Sequence, residues 1–164
     1  MRSFHILDIK KFMSLLLLQE AFDSFLLQEL EILTSHRMVL SGRRNEQWYS
    51  KEELEELAAM GQKKYISWKE AKEKAKNEIK GRRTPELING VFYLEEEKVA
   101  ALAAQSGMRR EEVQALVWNL RFDKDELHII TAVSLNTFTM DKTLEQSWDV
   151  YMAELLAKCE VCYE

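Results

Sequence analysis

Cys159 and Cys162 form a C-x-x-C pair, the spacing of half a zinc site or of a dithiol redox centre. A redox thiol needs a helix N-terminus, where the dipole favours thiolate, and this pair follows an expected helix C-terminus, where the dipole opposes it. No second pair completes four ligands, and His5, His36 and His128 lack ligand spacing. The two cysteines therefore read as ordinary residues of a frayed tail. His128 lies between Leu127 and Ile129 on an expected strand, where a hydrogen-bonded sheet histidine is the favoured reading over a general base. With Asp141 and Asp149 it is the set from which a hydrolase or transferase site would have to assemble in three dimensions. Serine elbows, phosphate-cradling loops and dinucleotide fingerprints are absent, because the five glycines stand singly. The acidic runs Glu52-Glu53-Glu55-Glu56 and Glu95-Glu96-Glu97 fall at helix starts, where solvated faces and dipole contacts account for them. No catalytic residue, metal or cofactor is expected.

The remaining chemical signal is charge. Lys63 to Arg83 holds nine basic and three acidic residues, a net of +6 in a chain of net charge −5, so the rest carries −11. Lys69, Lys72, Lys76, Lys80 and Arg83 fall at helical spacing as a basic stripe, with Arg82 beside them, while Trp68, Ala71, Ala75 and Ile79 form the inward strip. These six cations are the candidate contact surface for an anionic or protein partner, with Arg82 and Arg83 placed to grip an anion. The plain alternative is a surface helix laced by Glu70–Lys74 and Glu78–Arg82 ion pairs. The acidic total opposes non-specific nucleic-acid binding. A binding module is thus the expected function. The alternatives are a nucleic-acid-associated protein of clamp-like build and an enzyme with a dispersed site.

The elements that must hold these groups follow from periodicity. Val113–Phe122 and Leu127–Phe138 are β-branched and aromatic about the turn-like Asp123 to Glu126, which predicts a long hairpin. Closure about Lys124 and Asp125 pairs Phe122 with Leu127, Leu120 with Ile129, Trp118 with Thr131 and Leu116 with Val133 on one side. Thr143 with Gln146 reads as a capping box opening a final helix to Lys158. Asp8 caps a first helix, apolar nearly all round, that includes Ile9, Phe12, Met13, Leu16, Leu17 and Phe22. Leu26–Leu33 and Arg37–Ser41 are expected strands with Gly42 in the turn beyond. Ser50 with Glu53 and Ser67 with Glu70 open helices at 51–60 and 68–80, the second stopped by Gly81 and Pro85. Ile88–Leu94 is a strand weakened by Asn89 and Gly90, and Glu95–Gln105 a helix.

At 164 residues, with four Trp, seven Phe and one Pro, the chain reads as one packed domain over 1–164. Antiparallel hairpins with packed helices define an α+β class. A faint echo relates Ser35, Arg43, Glu46 and Gln47 to Ser134, Lys142, Glu145 and Gln146, so units 1–50 and 86–142 would be repeats joined by the helical pair 51–80, with helix 143–158 closing the fold. Two such units in tandem are similar to the plan of a DNA sliding-clamp domain, an analogy of fold alone. The apolar run Phe12–Leu18 is too short for a bilayer span and lacks a cleavage site, so no targeting segment or membrane association is expected; two cysteines fit a reducing, cytoplasmic setting.

The chain also resembles an uncharacterised bacterial family from Gram-positive anaerobes. The resemblance rests on Asp8 to Met13 with Phe22 to Leu27, on Ile79 to Pro85, on Asn119 to Phe122, and on Phe138 to Glu145 with Trp148-Asp149. An Asn-Thr-Phe-Thr-like strand ending in a Gly turn is common in the first half of that family. Ser35 to Gly42 departs from it here. The resemblance implies a shared fold and brings no activity.

Overall fold

Lys124 and Asp125 both adopt left-handed backbone, φ 52° and 62°, the two-residue turn whose twist matches that of the flanking strands. It joins β6 (Val113–Asp123) to β7 (Glu126–Leu135) in the predicted register, Phe122 opposite Leu127 and Trp118 opposite Thr131. The computed structural model describes residues 1–81 and 83–164. Among these the remaining strands are β1 (Ser3–Ile6), β2 (Leu26–Leu33), β3 (Arg37–Ser41), β4 (Ile66–Ser67) and β5 (Leu87–Tyr93). All pair antiparallel in one sheet ordered β1-β7-β6-β5-β2-β3, with β4 also on β2. The helices are α1 (Ile9–Leu18), α2 (Lys51–Ala59), α3 (Trp68–Ile79), α4 (Glu96–Gln105) and α5 (Thr143–Lys158). The class is α+β, as the sequence implied.

Alternation along the strands gives the sheet two unlike faces. One carries Leu116, Trp118, Leu120 and Phe122 of β6, with Leu127 and Ile129 of β7, all buried. Trp118 stacks on Phe92 at 4.2 Å and meets Phe22 and Phe25 at 5.6 and 5.5 Å, and Trp68 of α3 meets Phe92 at 5.2 Å. Helices α1, α3 and α5 bury their apolar sides there in a single core. Gly90 belongs to that packing: a Cβ at this position would lie 2.8 Å from the Phe92 ring. The opposite face, with Val91, Val117, Asn119 and Ile130, is only half-buried and has small or mixed side chains.

Caps account for where the helices begin. Asp8 accepts from the Lys11 N–H at 3.1 Å, and Ser50 and Glu53 close a reciprocal box at 3.1 and 3.0 Å. Three expectations are corrected. The N-cap of α5 is Lys142, which makes no side-chain cap bond, and not Thr143; Asp141 just before it accepts at Oδ1 from Thr143 N at 2.9 Å and Thr143 Oγ1 at 2.6 Å, because a carboxylate is the stronger acceptor and makes Thr143 a donor. Phe22 lies past the end of α1, in a turn that drops its ring beside Phe12. Gly42 is in no turn; it lies against β2, where a Cβ would fall 1.7 Å from the Leu27 carbonyl oxygen.

The C-terminal segment is also not a frayed tail. His5 N and Leu7 N donate to Glu164 O and Cys162 O, Glu164 N returns a bond to His5 O, and Val161 is buried. The stretch extends the sheet beyond β1, because β1 would otherwise leave an unpaired edge. The segments that share the sequence echo enter the sheet differently. β1 lies at one side and β2 and β3 at the other, whereas β5, β6 and β7 are consecutive neighbours.

Candidate anion-binding cleft

The chain after β3 passes so close to β2 that Gly42 N donates to Gln28 O and Ile66 N to Gly42 O, while Arg44 N donates to Lys64 O. A bulge in β2 between Leu27 and Glu29 accommodates this approach. Extended pairing of 42–44 with 64–66 then sends successive side chains to opposite sides. Arg44 turns inward, its side chain 2% exposed, and donates to Gln62 O at 2.7 Å, Tyr49 Oη at 2.9 Å and both Glu70 carboxylate oxygens at 3.1 and 3.3 Å. Burial pulls its pKa down, but the bonds to Glu70 and Tyr49 outweigh that and hold it above the ordinary value. Arg43 turns outward, its guanidinium 5.8 Å from the centre of the Tyr65 ring.

Tyr65 in turn meets Tyr93 edge to face at 5.1 Å. Desolvation and the neighbouring Tyr65 push the Tyr93 phenol up, so it remains a neutral hydrogen-bonding group at neutral pH. These rings floor a cleft of about 460 Å³ at one end of the open sheet face, walled by Lys63, Lys64 and Arg110. Arg110 is held by Glu96 at 2.7 and 2.6 Å, and Lys63 lies 3.5 Å from Glu46. Among the described residues, Arg43 and Lys64 have no carboxylate partner, which leaves the cleft net positive on an acidic protein. A groove of about 540 Å³ between α4 and α5 is larger, but its Lys98 and Glu154 cancel and Lys98 is tied to Glu95 at 2.8 Å.

The cations singled out in the sequence fare unequally. Lys72 is spent internally, donating to Asp23 at 2.7 Å and Gln19 O at 3.0 Å with its side chain 14% exposed. Lys76 pairs with Glu73 at 2.9 Å. Lys69, Lys80 and Arg83 are exposed, and Arg82 lies outside the described residues. Of the helical ion pairs read from the sequence, Glu70–Lys74 gives way to a tertiary pair of Glu70 with Arg44; Glu78 lies 3.0 Å from His36, and its expected helical partner Arg82 is outside the described residues. Arg43, Tyr65, Tyr93 and Arg110 were not read as a site. The adjacent Lys63-Lys64-Tyr65 is the signal that could have found it, cations beside an aromatic ring.

Other chemical candidates separate in space. His128 stacks on His5 at 4.7 Å on the open face beside Glu126, whereas Asp149 bonds Thr131 beneath the helices and Asp141 accepts from Thr143 just ahead of α5. The dispersed hydrolase set therefore does not converge. Cys159 and Cys162 are free thiols, and burial pushes the Cys159 thiol up despite Lys158 and Lys11. Among the described residues no three His, Cys, Asp or Glu side chains gather as metal ligands. No helix of the described residues is long and apolar enough to cross a membrane.

Fold and cleft together define a helix-backed antiparallel sheet with a cationic, tyrosine-floored recess on its uncovered side. The chain belongs to a family of unknown function (DUF5721), which matches residues 15–164. No curated protein and no solved structure matches it.

Proposed function

We propose that this is a cytoplasmic bacterial binding module that takes a phosphate-bearing partner in the cleft between Arg43, Lys64 and the Tyr65–Tyr93 pair. The observation that supports the reading is Arg43 lying over Tyr65 with no carboxylate partner among the described residues, beside the equally free Lys64. Charge-assisted bonds from a guanidinium and an ammonium suit phosphate oxygens, and the phenols add neutral donors. The α3 cations Lys69, Lys80 and Arg83 form an outer approach surface rather than the seat, because Lys72 and Lys76 in the middle of the stripe are engaged.

The test is titration with inorganic pyrophosphate followed by amide chemical shifts. Shifts confined to Arg43, Lys64, Tyr65 and Arg110 are expected, weakening from about 50 mM to about 200 mM salt. Arg43→Glu with Lys64→Glu is expected to weaken binding by about tenfold or more, and Lys69→Glu with Lys80→Glu by less than about twofold. The reverse order would return the site to the helix, and salt-insensitive or absent binding would remove the proposal.

A further inference from the structure

The helix α3 ends at Ile79, and at the entry to β5 Glu86 N donates to Leu33 O. Between these two points lies a pocket of about 230 Å³ that, among the described residues, shares none with the cationic cleft. Its wall is a line along α1, Ile9, Met13 and Leu17, spaced one turn apart. Its floor is Ile88 and Phe122, 3% and 5% exposed, at the end of the covered face. Among the described residues, the side chains that line it from α1, α3, β5 and β6 are all apolar. The polar lining lies at the mouth, where Gly81, Arg83 and Thr84 border it and the Arg83 side chain is exposed.

We propose that this pocket binds a straight-chain amphiphile with a carboxylate head, the tail against Met13, Ile88 and Phe122 and the head at Arg83. A recess lined by Ile9, Met13, Leu17 and Ile88 suits an alkyl chain, and the planar fork of arginine matches a carboxylate bidentately. At about 30 Å³ per water-sized atom in a liquid, the volume takes roughly seven or eight tail atoms. The charge at the mouth decides the sign of the head. The C-terminal end of α3 contributes about half a negative charge, and the Arg83 cation exceeds it. The acids Glu86, Asp123 and Asp125 do not line the pocket; they line an adjoining hollow that shares Thr84 and Pro85 with it, where Lys124 and the Arg121–Asp123 pair offset them.

Isothermal titration of the full chain with sodium octanoate, below its micellar concentration, tests this. Saturable one-to-one binding is expected, with hexanoate weaker by on the order of tenfold, since each buried methylene is worth about fourfold. Neutral 1-octanol is expected to bind about tenfold more weakly than octanoate, and Arg83→Glu to reduce octanoate to that level without moving the unfolding midpoint. Met13→Trp, which fills the slot, should abolish both. Equal affinity for octanoate and octanol, an unchanged affinity in Arg83→Glu, or no saturable binding of any alkyl probe would overturn the proposal. Capture of only a peptide with an acidic residue beside an apolar one would overturn it too, assigning the slot to a protein partner.

Discussion

The two faces of the one sheet are built from the same strands and obey different rules. On the covered face Trp118, Phe92, Phe22 and Trp68 interlock so closely that Gly90 is required to make room, and all four rings are 0–1% exposed. On the open face the neighbours Val117, Tyr93 and Asn119 keep partial contact with solvent, and ionisable groups collect at the ends. Packing uses the first face completely, and the second face and the sheet ends keep their contact with solvent. Even the buried donor Trp118 Nε1, which finds no hydrogen-bond partner among the described residues, is tolerated for the apolar area its ring supplies.

The sharpest way to break this contrast is truncation of adjacent residues. Trp118→Ala is expected to cost about 3–5 kcal/mol in urea unfolding, while Val117→Ala, one residue away on the open face, should cost less than about 1 kcal/mol. Comparable losses would mean that the open face is covered in solution. Gly42→Ala tests whether the cleft depends on the core. The added Cβ meets the Leu27 carbonyl at 1.7 Å, so a loss of about 1–3 kcal/mol is expected, together with displacement of Arg43 and weaker pyrophosphate binding. Unchanged stability would show that the 42–44 segment moves freely.

The smallest effect sits at neither face. Asp141 is held below the usual carboxylate range by the Thr143 hydroxyl and then its N–H. A depressed folded-state pKa stabilises the protein above the unfolded value, near 4, and that contribution is lost as pH falls through the lower folded value. Asp141→Asn should therefore flatten the acid side of the stability profile below about pH 4 and leave pH 7 to 9 unchanged in shape. An identical acid limb in the variant would show that the Asp141–Thr143 contact adds nothing to acid-side stability.

Much of the fold was legible because its signals are local. The hairpin register follows from alternation about one turn, the box at Ser50 from two residues three apart, and the stop of α3 from Gly81 and Pro85. The cap of α5 lies at Lys142, one residue before the Thr143 that the sequence signature marks, because the Thr143 hydroxyl donates to Asp141 and is not free to accept as a cap. The basic stripe was visible as spacing, but spacing does not say that the Lys72 amine meets Asp23 across the fold.

By itself, then, the sequence determined the α+β class, the apolar stripe of each strand and the acidic background with one cationic segment, since each depends on residues near in the chain. Only tertiary structure decided that Arg43 reaches Tyr65, that Tyr65 meets Tyr93 and that Lys72 is spent on Asp23. Those encounters join residues roughly 20 to 50 positions apart, and the close pass of Gly42 over β2 brings the first of them about. Side-chain charge is written in the chain, but its availability depends on what folding places beside it.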